Sequence, residues 1–176
     1  MKVVKPGSGP VLVAGIGNVF FRDDGFGVAV VELLRNENDL PGNVVVRDIG
    51  IRGLHLAYDL VTGWDLLIVV DAIATATAAG TLHLIEPSGD LDLPGRAHDA
   101  HGMDLRSILQ TTRALEARLP AVLVVGCEVT DVSEGIGLTP EVARAVPRAA
   151  RIVRSAARGE RCHTAADTLM GSAKEA

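Results

Sequence analysis

The chain has 176 residues, a mass of 18.4 kDa and a formal net charge of −5 at pH 7. This length fits one domain, and the negative charge argues against a nucleic-acid binder, because affinity for phosphates depends mainly on basic surface. No apolar run approaches the roughly 20 residues that span a bilayer, and residues 1–10 lack the apolar core of a signal peptide, so we expect a cytoplasmic protein with no membrane contact.

The composition and the first predicted elements indicate an α/β fold. Hydrophobic residues make up 48% of the chain and aromatic residues only 3%, which favours an aliphatic core such as that of a parallel sheet covered by helices. A β-branched run over residues 11–14 predicts a strand that ends at Gly15. A helix is predicted over residues 25–37, because its apolar residues recur at helical spacing.

The middle of the chain continues this alternation. A second strand is predicted over 44–47 and a short helix over 54–61. The clearest strand covers 65–71, is apolar on both faces and ends on Asp71. The connection that follows is too short for a crossover helix, so the next strand, over 81–86, is predicted to run antiparallel.

The last part of the chain predicts two helices around a final strand. The helices cover residues 105–119 and about 139–158, and the strand covers 122–125. The second helix has a strong start at Thr139-Pro140-Glu141, with an N-cap residue, proline in the first turn and an acid, and Pro147 is expected to kink it. We therefore predict one domain over residues 1–158 and a polar, disordered tail over 159–176.

Three loops at one edge of this predicted sheet carry the candidate site. Asp23 and Asp24 follow the first strand, Asp71 ends the third, and His101 precedes the helix at 105. If the sheet is doubly wound, the loops that carry Asp24, Asp71 and His101 converge at the edge where such sheets bind ligands. Two carboxylates and an imidazole suit a borderline divalent cation such as Zn²⁺ or Ni²⁺.

Each candidate also has a structural interpretation. In the structural alternative, one of Asp23 and Asp24 caps the helix that follows them, and Asp71 hydrogen-bonds its own loop. His101 alternatively is a surface histidine, and His98, three residues earlier, is its rival as a ligand. The residues alone leave these alternatives open.

The first glycine turn also resembles the start of a dinucleotide-binding fingerprint. Gly15 and Gly17 fit its opening, but Phe20 occupies the third glycine position, and no acid is well placed at the end of the second strand. The fingerprint is thus incomplete, and a small nucleotide-binding or partner-binding α/β module stays one candidate function.

The two cysteines, Cys127 and Cys162, are too few and too far apart for a disulfide framework or a CxxC metal site. Cys127 closes a predicted strand and has no catalytic partner near it in the sequence. We therefore predict that Cys127 is a small core residue and not a nucleophile.

Four segments together resemble the hydrogenase maturation proteases, cytoplasmic endopeptidases that process the large subunit of nickel-iron hydrogenases. They are G-I-G-N-V-F-F-R-D-D-G-F-G at 15–27, L-I-V-V-D-A-I at 67–73, A-H-G-M-D-L at 100–105 and G-I-G-L-T-P-E-V at 135–142. The resemblance implies a single three-layer α/β domain, with helices on both faces of a twisted five-stranded sheet that is parallel except for one strand. It also implies removal of a carboxyl-terminal extension from the large-subunit precursor after nickel insertion.

The same resemblance assigns the site. Asp24, Asp71 and His101 match the family's metal-contacting residues and become the catalytic candidates, which favours His101 over His98. Asp23 then caps the helix or orients its neighbour. The metal is expected to be nickel carried by the precursor, for which zinc or another divalent ion could substitute, and we expect the protein to act as a monomer.

Overall fold

The computed structural model of the chain describes residues 9–87 and 105–160. The strands in these ranges are β1 (Val11–Ile16), β2 (Val44–Gly50), β3 (Leu66–Ile73), β4 (Leu82–Ile85) and β5 (Ala121–Glu128). The helices are α1 (Phe26–Glu37), α2 (Gly53–Val61), α3 (Leu105–Ala114) and α4 (Pro140–Ala157). A short 3-10 turn, Arg22–Gly25, precedes α1.

The strands form one five-stranded sheet in the order β2-β1-β3-β5-β4. β1 runs parallel to both β2 and β3, and β3 runs parallel to β5. Only the β4 pairing, with β5, is antiparallel among the described strands. The predicted α/β fold with one antiparallel strand is therefore confirmed.

The sheet lies between two layers of helices, each with its own apolar core. α1 and α4 cover one face, where Phe26 and Val153 are fully buried, and α2 and α3 cover the other, where Leu56 and Ile108 are fully buried. Every residue of β1 and β3 is buried, as expected for central parallel strands enclosed on both sides. Among the described residues, no helix is both long enough and apolar enough to cross a membrane.

Several predicted boundaries were wrong. α3 ends at Ala114 and not at residue 119, because Glu116 takes a left-handed conformation with φ +59° that ends the helical turn. β3 continues past Asp71 to Ile73, and β5 continues to Glu128. α4 includes Pro147 within its span, and the kink expected there stays a prediction.

The parallel strands β1, β3 and β5 end at the same edge of the sheet, and the loops that follow β1 and β3 carry the candidate carboxylates. α4 ends at Ala157. The predicted polar tail from residue 161 onward lies outside the described residues, so the division at residue 158 stays a prediction.

Candidate active site

The turn after β1 depends on glycines that leave no room for side chains. A Cβ on Gly15 would contact the carbonyl oxygen of Gly27 and the side chain of Val31. A Cβ on Gly17, whose φ is +138°, would overlap the backbone carbonyl of Asp24. The chain itself therefore fills the space in front of these glycines, which a dinucleotide-binding turn leaves to a pyrophosphate. This packing argues against the nucleotide alternative.

Asp24 lies in the 3-10 turn and is only 2% exposed. Its Oδ2 accepts a hydrogen bond of 2.7 Å from the backbone N–H of Asn18, and its Oδ1 is also buried. The bond joins the loop after β1 to the turn before α1. The orientation of the Asp24 carboxylate is thus fixed by the backbone around it.

Asp71 lies within β3, in register with Gly126 of β5, and is 5% exposed. Its Oδ1 accepts a hydrogen bond of 2.9 Å from the N–H of Ala72. A carboxylate at this depth requires hydrogen bonds or a cation to offset the loss of water. This hydrogen bond is of the kind expected if Asp71 only bonds its own loop. A role of Asp71 as a metal ligand stays a prediction.

The structure brings Asp24 and Asp71 to the same edge of the sheet. α1 begins so close to the sheet that a Cβ on Gly27 would contact the carbonyl oxygens of Val70 and Ile16. The 3-10 turn before α1 therefore lies over the carboxyl ends of β1 and β3, beside the segment that contains Asp71. One buried carboxylate from the 3-10 turn and one from β3 form the described part of the candidate site.

The candidate histidines, His101 and His98, lie outside the described residues. Within residues 9–87 and 105–160, no three His, Cys, Asp or Glu side chains are grouped as a metal site requires. The set of Asp24, Asp71 and His101 therefore stays a prediction, as does the choice of His101 over His98.

Asp23 has a different role from the predicted cap of α1. Its Oδ1 accepts the backbone N–H of Thr139 at 2.7 Å, and its Oδ2 accepts the Thr139 hydroxyl at 2.9 Å. The N-cap residue of α1 is Gly25, and no side chain makes a capping hydrogen bond there, so neither Asp23 nor Asp24 caps this helix. Thr139 and Pro140 do begin α4 as predicted, but the Thr139 hydroxyl binds Asp23 and makes no cap bond within α4.

Glu128, at the end of β5, binds a neighbouring loop in a way that the sequence interpretation missed. Its Oε2 accepts the N–H of Thr75 at 2.8 Å and the hydroxyls of Thr75 and Thr77 at 2.6 and 3.3 Å, and its Oε1 accepts the N–H of Ala76 at 3.1 Å. His83 of β4 lies beside this network, with Nε2 3.1 Å from the Thr77 hydroxyl. The only sequence signal was an acid at the end of a predicted strand.

The environment of Glu128 favours its charged form. Burial by itself raises the pKa of this carboxyl, but the hydrogen bonds from Thr75, Ala76 and Thr77 outweigh that effect and hold the pKa below its usual value. Glu128 is therefore an ionised anchor for residues 75–77, which follow Asp71 at the same sheet edge.

Cys127 is fully buried, and its thiol is free. Burial, supported by the negative charge of Asp23, raises the pKa of this thiol to about 12. A thiol with this pKa stays protonated at neutral pH and is a poor nucleophile. The structure thus supports the prediction that Cys127 is a core residue.

The fold and the paired carboxylates define a class: a single α/β domain with an acidic site at the carboxyl edge of a parallel sheet. A family model described as hydrogenase maturation protease matches residues 28–156. The hydrogenase 2 maturation protease of Escherichia coli is 30% identical over 149 residues, which cover 84% of this chain and 90% of that protein. The coenzyme F420 hydrogenase subunit delta of Methanothermobacter thermautotrophicus is 31% identical over 155 residues, which cover 84% and 94% of the two chains.

A solved structure agrees with this family match. The hydrogenase maturating endopeptidase HybD from E. coli superposes with a TM-score of 0.72 at 29% identity, over 85% of this chain and 92% of that one. The chain therefore belongs to the hydrogenase maturation protease family, and the resemblance seen in the four sequence segments is confirmed. It is an endopeptidase of that family.

Proposed function

We propose that this endopeptidase removes the carboxyl-terminal extension of a nickel-iron hydrogenase large-subunit precursor after nickel has been inserted. Asp24, Asp71 and His101 contact the nickel that the precursor carries, and so bring the bond to be cleaved to this edge of the sheet. The proposal places the reaction in the cytoplasm, with the protein acting as a monomer.

One observation carries the proposal: two buried carboxylates, Asp24 and Asp71, lie at the same edge of the sheet in a fold shared with a maturation endopeptidase. Carboxylate oxygens together with an imidazole bind borderline divalent cations, which include Ni²⁺ and Zn²⁺. Two carboxylates and one imidazole are also an incomplete ligand set, so coordination positions remain for the precursor's own ligands. Zinc or another divalent ion could therefore take the place of nickel in a test.

The two candidate carboxylates also suggest how a nickel-free precursor would be rejected. Asp24 and Asp71 are acids with little access to water, so a cation that approaches them is strongly attracted. A precursor without its metal offers no positive charge to bridge the two proteins. Selectivity then depends on the cation and requires no other difference between the loaded and the empty precursor.

The test is a processing assay with the purified protein and a matched precursor, in nickel-loaded and nickel-free forms. Intact mass reports whether the carboxyl-terminal extension has been removed. We expect the wild type to cleave only the loaded precursor, and His101→Ala to abolish cleavage. His98→Ala is the matched control and is expected to cleave at a rate near that of the wild type.

Four results would change this proposal. Failure of the wild type to cleave a matched loaded precursor would contradict the processing activity. Cleavage that survives His101→Ala but not His98→Ala would move the histidine role to His98. Sedimentation velocity tests the monomer, and thermal stabilisation by a nucleotide would favour the alternative of a nucleotide-binding module.

A further inference from the structure

Two loops beside the candidate site expose large apolar side chains. Phe20, in the loop after β1, is 64% exposed, and Ile136, in the loop before α4, is 79% exposed. Val19, next to Phe20, is also exposed. Single exposed apolar residues are common on protein surfaces, but here two loops far apart in sequence present them together.

The two loops are joined by backbone hydrogen bonds. The N–H of Gly135 donates to the carbonyl of Phe20 at 2.8 Å, and the N–H of Arg22 donates to the carbonyl of Gly135 at 3.0 Å. Phe21 and Gly135 form a parallel bridge, and the Arg22 guanidinium pairs with Asp131. The apolar side chains are therefore held on a fixed backbone, which lowers the entropy lost when they bind a partner.

Asn18 connects this apolar surface to the candidate carboxylate. The Asn18 backbone N–H donates to Oδ2 of Asp24 at 2.7 Å, while the Asn18 side-chain Oδ1 accepts the N–H of Phe20 at 3.0 Å. One residue thus contacts both the carboxylate and the backbone of the exposed phenylalanine. The backbone of Phe20 is therefore held close to the carboxylate of Asp24.

We propose that Phe20 and Ile136 are specificity residues that contact apolar side chains of the precursor polypeptide beside the bond to be cleaved. The inference rests on the proposed processing function. The occupant is an extended peptide segment of the precursor, because Asn18 holds the loop that carries Phe20 next to Asp24, at the site where that segment has to be cleaved. Burial of the two side chains on binding supplies affinity that does not depend on the metal.

The experiment compares Phe20→Ala, Ile136→Ala and the double variant with two control variants, Val61→Ala and Leu115→Ala. Val61 is the last residue of α2 and Leu115 follows the last residue of α3, so both lie by the sheet edge opposite the candidate site. Their side chains are 44% and 43% exposed. Steady-state cleavage of the nickel-loaded precursor gives KM and kcat, and biosensor binding of the same precursor gives Kd.

We expect Phe20→Ala to raise both KM and Kd about tenfold while kcat changes less than about twofold, because the binding contact is lost and the candidate metal-contacting residues are unchanged. The double variant should show a larger rise. Phe20→Leu should recover most of the affinity, since leucine restores apolar contact area. The control variants should stay within about twofold of the wild type.

Unchanged KM and Kd in the double variant would overturn this inference and leave the processing function standing. If the wild type binds a matched precursor but cleaves none, the processing function fails while Kd still tests the apolar contact. If the double variant abolishes self-association seen by sedimentation and leaves Kd unchanged, the occupant is a second copy of this chain and the inference is wrong.

Discussion

Asp23 and Thr139 are 116 positions apart, and both carboxylate oxygens of Asp23 accept hydrogen bonds from Thr139. The pair joins the 3-10 turn before α1 to the N-cap residue of α4, so it fixes α4 relative to the candidate site. Asp23 is fully buried, which makes the loss of these bonds costly.

Asp23→Ala should lower the free energy of unfolding by about 1–3 kcal/mol, because it leaves the N–H and hydroxyl of Thr139 without their acceptor. Thr139→Ala removes only the hydroxyl bond and should cost about 1 kcal/mol, and Thr139→Ser should cost less. Urea unfolding followed by circular dichroism measures all three. Equal stability of Asp23→Ala and the wild type would contradict this role.

The roles of the two adjacent aspartates show where sequence reasoning succeeded and where it stopped. The strands were recognisable because β1 and β3 are continuous apolar runs, and the start of α4 was recognisable because Thr139 and Pro140 are adjacent. The partner of Asp23 could not be recognised from the sequence, because Thr139 lies in a distant segment. A local capping role also fits Asp23. The carboxylate of Asp24 bonds a residue six positions away, and this contact depends on a glycine turn whose path local propensity does not fix.

Glu128 also has partners in a distant segment that the sequence alone does not identify. A sequence shows that an acid closes a strand, but only the sheet order places β5 beside β3 and so brings Glu128 to the loop after Asp71. The boundary errors in β3 and β5 have another cause, since pairing with each other extended these two strands beyond the predicted ends. For the candidate site, the pattern of strands and loops was sufficient to predict that Asp24 and Asp71 lie at one edge of the sheet. The place of His101 in that site stays a prediction.

Glu128→Gln should lower the free energy of unfolding at pH 7 by roughly 1–3 kcal/mol. The glutamine NH₂ would face N–H and hydroxyl donors of Thr75, Ala76 and Thr77, where the carboxylate now accepts from all of them. Chemical unfolding at pH 7 measures the change. Glu160→Gln, on an exposed residue after α4, is the control and should have little effect.

The stabilising effect of Glu128 should also depend on pH. Its folded-state pKa is lowered, so its contribution is fully present above the unfolded value of about 4.5 and is lost as the pH falls through the folded value. The difference in unfolding free energy between the wild type and Glu128→Gln should therefore shrink below about pH 4.5. A difference that grows on acidification would contradict the ionised anchor.

Gly27→Ala should lower the free energy of unfolding by roughly 1–3 kcal/mol, because its Cβ would overlap the carbonyl oxygens of Val70 and Ile16 and force α1 away from the sheet. Gly42→Ala is the matched control, since a Cβ there has no heavy atom within 4 Å. That variant should change stability by no more than about 0.5 kcal/mol. Similar losses in both variants would show that close packing at Gly27 is not the cause.

Cys127 should be unreactive in the folded protein. With Cys162→Ser as the background, Cys127 is the only thiol, and its pKa of about 12 keeps it protonated well above neutral pH. A colourimetric disulfide reagent at pH 8 should label less than one tenth of the protein until denaturant is added. Cys127→Ala should retain cleavage of the precursor, and a loss of cleavage without a loss of folding would contradict its assignment as a core residue.

Asp24→Asn and Asp71→Asn should each reduce cleavage of the nickel-loaded precursor by about 100-fold or more, because each replaces a carboxylate expected to contact the metal with a neutral amide of similar shape. Both variants keep an oxygen that can accept the existing backbone N–H, and circular dichroism should show that each still folds.

The control for this pair is Asp39→Asn, which also removes a negative charge but does so at a surface ion pair with Arg154 on α4. Its cleavage rate should stay within about twofold of the wild type, since surface pairs contribute little and the charge is not at the candidate site. If all three variants lose activity to the same degree, the effect is one of net charge on precursor docking. If only the Asp24 and Asp71 variants lose it, and they bind the nickel-loaded precursor no better than the nickel-free form, the two carboxylates act through the metal.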